Sequence, residues 1–310
     1  MLLNPNLKFA RMILITWKVD LIMIALCIVA YWVEVHVLKE YVHIPAAIPT
    51  LMGTAIAFFV GFNNNQAYDR WWEARTIWGG IVNDSRSWTR SVLFYSLGAQ
   101  TDSKLFSDRF DEAQAIPYRM IKRHLSFLYA LKRSLRGSGE EDYKTYLEEA
   151  DQKTVARFTN IPSALLDLQN QDLQLLRERN QVDGYAFLAL NDLIVRFSDG
   201  MGKCERIKTT VFPVTYIYFT RVFIWMLITL LTMVIADEAG AWSIALGWLV
   251  GFVFHVTHIN GLSLMNPFDG NPASISLNAI VRTIEINTLE TLKNPQVPAP
   301  VEAVNGEYIL

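Results

Sequence analysis

Thr54, Phe58 and Phe62 stand four residues apart, so in a helix they form one nearly straight stripe. Gly53, Ala55, Ala57 and Gly61 surround that stripe with small side chains, which permit close approach of a second helix. Asn63, Asn64 and Asn65 follow at once. Residues of these types break no bonds. Aligned aromatic rings make a dry constriction that withholds water from an ion, and such constrictions gate by dewetting. Amides beyond the rings would supply polar partners where the ion regains them. The spacing has two readings. One is a pore-lining helix with its neck at Thr54, Phe58 and Phe62 and a vestibule at Asn63, Asn64 and Asn65. The other is ordinary packing, since aromatics at helical spacing are usually core.

Other reactive side chains are sparse. His255 and His258 lie one helical turn apart and could contribute to a metal site, but no carboxylate near them in sequence completes it, so no metal is expected. Cys27 and Cys204 have no CxxC partner, which leaves no disulfide framework or zinc site. The chain has no phosphate-binding glycine loop and no Ser-His-Asp order, so neither an enzyme nor a cofactor is expected. A net charge of −2, with basic residues interleaved among acids, gives no support for a nucleic-acid partner. Arg221 has three readings: an attractor of permeant anions, a side chain snorkelling to the surface, or a partner for Asp20. The structural readings are favoured over the first.

The elements that must position these residues are hydrophobic blocks. Residues 44–62, 222–236 and 241–268 carry no charge, and 12–33 carries only Lys18 and Asp20. A helix crosses a bilayer core with roughly 20 apolar residues. Four membrane helices are therefore expected, at about 12–36, 44–65, 211–236 and 241–264. The first is not a cleaved signal, because Tyr31-Trp32-Val33-Glu34 replaces a small-residue cleavage site. Residues 66–210 hold 21 of the 28 lysines and arginines, and Lys8 and Arg11 precede the first helix. Positive residues stay inside, which places both termini and the middle segment in the cytoplasm and the chain in the inner (plasma) membrane.

The second helix does not stop at the surface. "GTAIAFFVGFNNNQAYDRWWEAR" runs on without proline, and the helix is expected to reach about residue 98. The middle segment is helical too. In "QAIPYRMIKRHLSFLYALKRSLRG" an apolar face of Ile116, Met120, Leu125, Leu128 and Leu131 alternates with basic residues. A further helix is expected near 273–293, followed by a proline-rich tail that is extended or disordered on its own. The fold class is an all-α membrane protein. Its segments are 1–66 with the first two membrane helices, a cytoplasmic body at 67–210, membrane helices three and four at 211–265, and a cytoplasmic helix and tail at 266–310.

Four segments carry a family resemblance: "GFNNNQAYDRWWEARTIWG", "GKCERIKTTVFPVTYIYFTR", "NPFD" and "SLNAIVRTIEINTLE". With the membrane helices at matching places, nearly the whole chain resembles the bestrophins, and specifically their bacterial members. The resemblance implies a symmetric homopentamer with an axial pore, whose hydrophobic neck comes from helix two of each subunit. Counting back from Arg70, the neck positions fall on Thr54, Phe58 and Phe62. It implies passive conduction of small monovalent ions, with chloride first and a cation-preferring channel as the alternative. A secondary transporter fits poorly, because no broken-helix repeat is present; a membrane-anchored signalling module is the rival class. Partners would be the permeant ions, membrane lipid and four further copies. A second, cytoplasmic constriction is implied at Leu188, with Phe187 nearly equivalent. The chain departs from the family where animal members clasp calcium: in "NPFDGNPASISL", Asp269 is the only carboxylate, so calcium gating is not expected. Thr54 replaces a bulky apolar neck residue, so that end should be wider and wetter. Glu73, Glu205, Arg206 and Glu285 are expected to hold the membrane and cytoplasmic parts together.

Overall fold

The computed structural model describes residues 9–41, 43–96, 116–211, 214–304 and 306–310. Among the described residues, four segments are long and apolar enough to cross a membrane: Thr16–Leu38, Ala47–Tyr95, Thr215–Ala239 and Trp242–Met265. Helix α1 spans Phe9–Val33 and passes into a π-helical turn at Glu34–Leu38; α2 spans Ala47–Tyr95. The middle of the chain forms α3 (Ile116–Arg136), a 3₁₀ turn (Asp142–Tyr146), α4 (Glu149–Val155), α5 (Ile161–Glu178) and α6 (Gly184–Thr209). Then come α7 (Val214–Ala239), α8 (Trp242–Met265) and α9 (Leu277–Thr291). Lys8 and residues 97–98, on which the orientation and the far end of α2 were expected to bear, lie outside the described residues, as does the Arg11 side chain.

The helices divide into two compact units. The membrane unit holds the described residues up to Trp71 together with those of Val211–Asn266. Its α7 and α8 pack on each other and both pack on α1. The seam of α8 is Ser243, Gly247, Gly251, His255, His258, Gly261 and Met265, all buried at intervals of three or four residues. Small residues at that spacing replace hydrophobic drive with close backbone approach, which is how helices associate in lipid. A Cβ on Gly247 would collide with Thr232 Oγ1 of α7. Met23, Ile56, Val60, Ile224, Leu227 and Ile228 form a core joining α1, the first part of α2 and α7. The outward faces stay apolar: Leu21, Ile22, Val29 and Trp32 of α1 are exposed.

The second unit holds the described residues of Trp72–Thr210 and Pro267–Leu310. Its centre is α3, which packs against α5, α6, α9 and the 3₁₀ turn. Sequence suggested one apolar face with basic residues between; instead α3 is buried nearly all round, Arg123 and Lys132 included. The buried charges are matched. Arg123 donates to Asp151 at 2.7 Å, to Asp172 at 2.6 Å and to the Leu168 carbonyl at 3.0 Å. Lys132 lies 3.2 Å from both Glu140 and Asp142. A buried charge persists only when paired and hydrogen-bonded in this way. The tail is not free of the body either. Ala279 N–H donates to the Leu310 oxygen at 3.0 Å, and Ser276 donates to the Ile309 carbonyl at 2.7 Å. The tail therefore folds back onto the amino-terminal turn of α9, whose unpaired N–H groups welcome acceptors.

Candidate functional site

Helix α2 has one buried seam. In the membrane unit it consists of Ile56, Val60, Asn63 and Ala67; in the second unit it consists of Ala74, Trp78, Ile81, Ser85, Trp88 and Val92. Intervals of three, four and seven residues are the period of a single helix face. The neck stripe lies elsewhere. Phe58 is 69% exposed and Phe62 is 56% exposed, whereas Ile56 and Val60 are 2% exposed. Thr54 is exposed as well. The two rings stack on each other, with centroids 6.1 Å apart and planes at 28°. Within one chain, therefore, the stripe is not packed in the core.

Thr54 uses its hydroxyl on its own helix, donating to the Thr50 carbonyl at 3.0 Å. Its hydrogen is thereby committed, and what it turns outward is a methyl group and one remaining lone pair. That makes this end of the stripe less wet than a free hydroxyl would.

The asparagine triplet splits. Successive helix residues turn by about 100°, so three neighbours point three ways. Asn63 falls on the buried seam. Asn64 donates from Nδ2 to the Thr257 carbonyl of α8 at 3.1 Å. Its side chain fills the space a Cβ on Gly261 would need, with Asn64 Cγ 2.7 Å and Asn64 Cα 3.4 Å from that position. Only Asn65 is exposed. It lies eleven residues after Thr54, about three full turns, and so on the same face. Of the three amides expected to form a vestibule, Asn63 and Asn64 are taken up by helix packing within one chain, and Asn65 is the exposed one. Sequence reasoning missed Gly261 and Thr257 as the partners of Asn64. The run of small residues along α8 was the signal that pointed there.

Leu188 of α6 is 64% exposed. Phe187 is occupied, with the Arg177 guanidinium 4.8 Å above its ring. The four charged residues expected to hold the membrane and cytoplasmic parts together make their bonds within the second unit. Arg206 of α6 pairs with Glu73 of α2. Asn160, which caps α5, donates to Glu205 of α6 at 2.9 Å. Glu285 of α9 accepts from Tyr129 at 2.6 Å, from Tyr146 and from Arg282 at 3.1 Å. Burial, and then that carboxylate, pushes both tyrosine hydroxyls well above their usual range.

In the membrane unit His255 and His258 are buried on the α8 seam. Among the described residues no group of three His, Cys, Asp or Glu side chains converges to hold a metal. Arg221 is exposed and forms no ion pair with Asp20, whose carboxylate accepts from Thr16 at 2.7 Å. In the "NPFDGNPASISL" turn, Asn271 Oδ1 accepts from the Ala273 N–H at 2.9 Å, and the buried Ser274 donates to the Asn271 carbonyl at 2.7 Å. The side-chain oxygens of Asn271 and Ser274 are thus engaged within their own turn.

The Bacterial/Fungal Bestrophin protein family matches residues 10–290. The chain belongs to the bestrophin family. Bestrophin relatives are named as channel-forming proteins, not enzymes. A voltage-dependent anion channel-forming protein of Ralstonia nicotianae is 25% identical over 308 residues, covering 96% of each chain. A protein of the same description from Nostoc is 26% identical over 267 residues, covering 84% of this chain and 83% of its own. The solved structure of a bacterial bestrophin homolog from Klebsiella pneumoniae superposes with a TM-score of 0.79 at 23% identity, covering 89% of this chain and 98% of that one. This bestrophin thus shares its fold with that homolog.

Proposed function

We propose that five copies of this chain form an anion-conducting channel in the plasma membrane, each giving α2 to an axial pore. The observation that carries the reading is the exposed Phe58–Phe62 stack on the face of α2 turned away from its buried seam. Aromatic side chains left uncovered on a membrane helix face lipid, a partner surface or a pore; for a pore, cyclic symmetry supplies five copies of one stripe around an axis. The anion preference follows the relatives named as anion channel-forming proteins. The neck is Thr54, Phe58 and Phe62, Asn65 is the amide beneath it, and Leu188, not the arginine-covered Phe187, forms the cytoplasmic constriction. The segments 1–66 and 211–265 sit in lipid, and 67–210 and 266–310 lie in the cytoplasm with both termini. The lysine and arginine distribution supports that orientation.

The test is electrical. Purified protein in planar bilayers under a KCl gradient should reverse toward the chloride equilibrium potential, and mass determination in detergent should give a pentamer. Reversal at the potassium potential would make it a cation channel of the same fold. A monomer or dimer carrying full current would remove the axial pore.

A further inference from the structure

An aromatic neck has no formal charge, so the sign of the permeant ion must be decided on its flanks. From Asp69 onward α2 carries Asp69, Arg70, Glu73, Arg75, Asp84, Arg86 and Arg90. Folding cancels these charges unequally. Glu73 is taken by Arg206. Asp84 is 3.6 Å from Arg196, which also pairs with Asp192 at 2.8 Å. Arg70 is half-buried. Arg75, Arg86 and Arg90 are exposed, and among the described residues none has a carboxylate within ion-pair distance. The Arg90 Nε donates to the Arg86 carbonyl at 3.1 Å, which lays that side chain along the helix. The opposing groups are few: Asp69 is exposed at the top of the run, and Glu290 of α9 lines the groove that Arg86 and Arg90 share with Thr288 and Thr291.

The three free arginines keep one line. Arg86 follows Arg75 by eleven residues, about three turns, and Arg90 follows Arg86 by one turn, so the line runs for about 22 Å. Asp84, the one acid inside it, lies beside Arg196 of α6, whereas among the described residues the three arginines have no carboxylate partner.

We infer that Arg75, Arg86 and Arg90 set the anion preference of the channel by making the cytoplasmic approach to the neck basic. This rests on the reading of α2 as the pore helix. Repeated around an axis, a line of unpaired guanidinium groups raises the local concentration of anions and depletes cations. Rings of Arg or Lys serve anion pores in this way, without binding the ion tightly enough to hold it. Guanidinium groups stay charged at every accessible pH, so the preference is independent of pH and sensitive to salt. The screening length is about 10 Å at 0.1 M salt and about 3 Å at 1 M, and exposed charges farther from the ion than that are largely screened.

The experiment measures reversal potentials in planar bilayers under KCl gradients at low and high salt, for wild type, the single and triple Arg→Gln variants, and the triple Arg→Lys variant. Wild type should favour chloride, more strongly at low salt. The triple Arg→Gln variant should lose about tenfold of the chloride-to-potassium permeability ratio, while Arg→Lys keeps it. A fully assembled triple Arg→Gln pentamer with the wild-type ratio overturns the inference and leaves the channel reading intact. A wild type that does not favour chloride overturns the anion reading itself, and the inference with it. A chemical arm avoids dependence on assembly of the triple variant. Arg86→Cys is assembled first, then treated with a cationic or an anionic thiosulfonate. The native thiols are both buried, and burial pushes Cys204 up to about 12, so labelling falls on the new thiol. The cationic reagent should restore the ratio and the anionic one depress it further; equal effects of the two would count against the inference.

Discussion

Replacing Phe58 with Ala separates a pore-facing ring from a packed one, and the structure supplies its own control on the same helix. Ile56 is 2% exposed in a core with Met23, Val60, Ile224, Leu227 and Ile228, so Ile56→Ala should cost about 2–5 kcal/mol. Phe58 touches its neighbours only at ring edges and faces, with Phe59 at 6.3 Å and Phe62 at 6.1 Å. Such pairs are worth about 0.5–1.5 kcal/mol, and no closed cavity remains when an exposed ring is removed. Phe58→Ala should therefore unfold close to the wild-type midpoint, and Ile56→Ala well below it. The current should move the other way. Each 1.4 kcal/mol removed from an ion's barrier at the neck raises its rate about tenfold, and removing five rings from the proposed neck should admit water there. Single-channel recordings of Phe58→Ala should show a several-fold larger current, with Ile56→Ala unchanged per assembled channel. The assays are thermal unfolding of the purified assembly and single-channel conductance in planar bilayers. A Phe58→Ala protein that assembles poorly yet conducts like wild type would refute the reasoning and return the stripe to ordinary packing.

Gly261→Ala should displace Asn64, break its bond to the Thr257 carbonyl and destabilise the protein by roughly 1–3 kcal/mol; Asn64→Ala in the same chain should relieve part of that loss, and additive losses in thermal unfolding would show that the two do not meet. Open probability should not change between chelator and micromolar calcium, because Asn271 and Ser274 are spent on their own turn and Asp269 stands alone; a steep rise with calcium would reveal a site elsewhere. His124 is fully buried among Trp88, Phe127 and Phe197, and desolvation lowers it to about 3. Below its unfolded value near 6.5 the unfolded chain binds a proton that the folded chain refuses, so stability should fall as pH drops from about 6.5 toward 3, by about 1.4 kcal/mol per unit. His124→Phe should flatten that slope in unfolding measured against pH, and an unaltered slope would show that His124 is not its source.

The four apolar spans, the length of α2 and the shared face of Thr54, Phe58 and Phe62 were legible, because each depends on one periodic signal in one segment. Hydropathy over 20 residues marks a span, and a repeat of four marks a face. What escaped reading depends on two segments at once. Nothing in "NNN" says which amide meets Gly261, since that glycine lies on another helix and its vacancy is a matter of packing. Arg123 and Lys132 looked like the solvent side of α3 because their acids, Asp151, Asp172, Glu140 and Asp142, arrive from elsewhere in the chain. Leu188 and Phe187 were nearly equivalent in sequence; in the structure Leu188 is exposed while the Arg177 guanidinium lies over the Phe187 ring.

Charge follows the same logic with a functional consequence. A net charge of −2 over the whole chain suggests nothing that would attract an anion. Permeant ions do not sample that sum. They meet the charges left unpaired on the surface they pass, and pairing is decided by the fold. Glu73 and Asp84 find Arg206 and Arg196 on α6, because α6 packs closely against α2 where Gly200 leaves room for Ile81. Arg75, Arg86 and Arg90 fall on a different line of the same helix, out of reach of those partners. An α2 with nearly balanced charge in sequence thus becomes basic along one edge once folded. Exchanging Asp84 with Arg86 would keep the composition while moving the free charge, so the permeability ratio of that variant should fall even though the net charge has not changed.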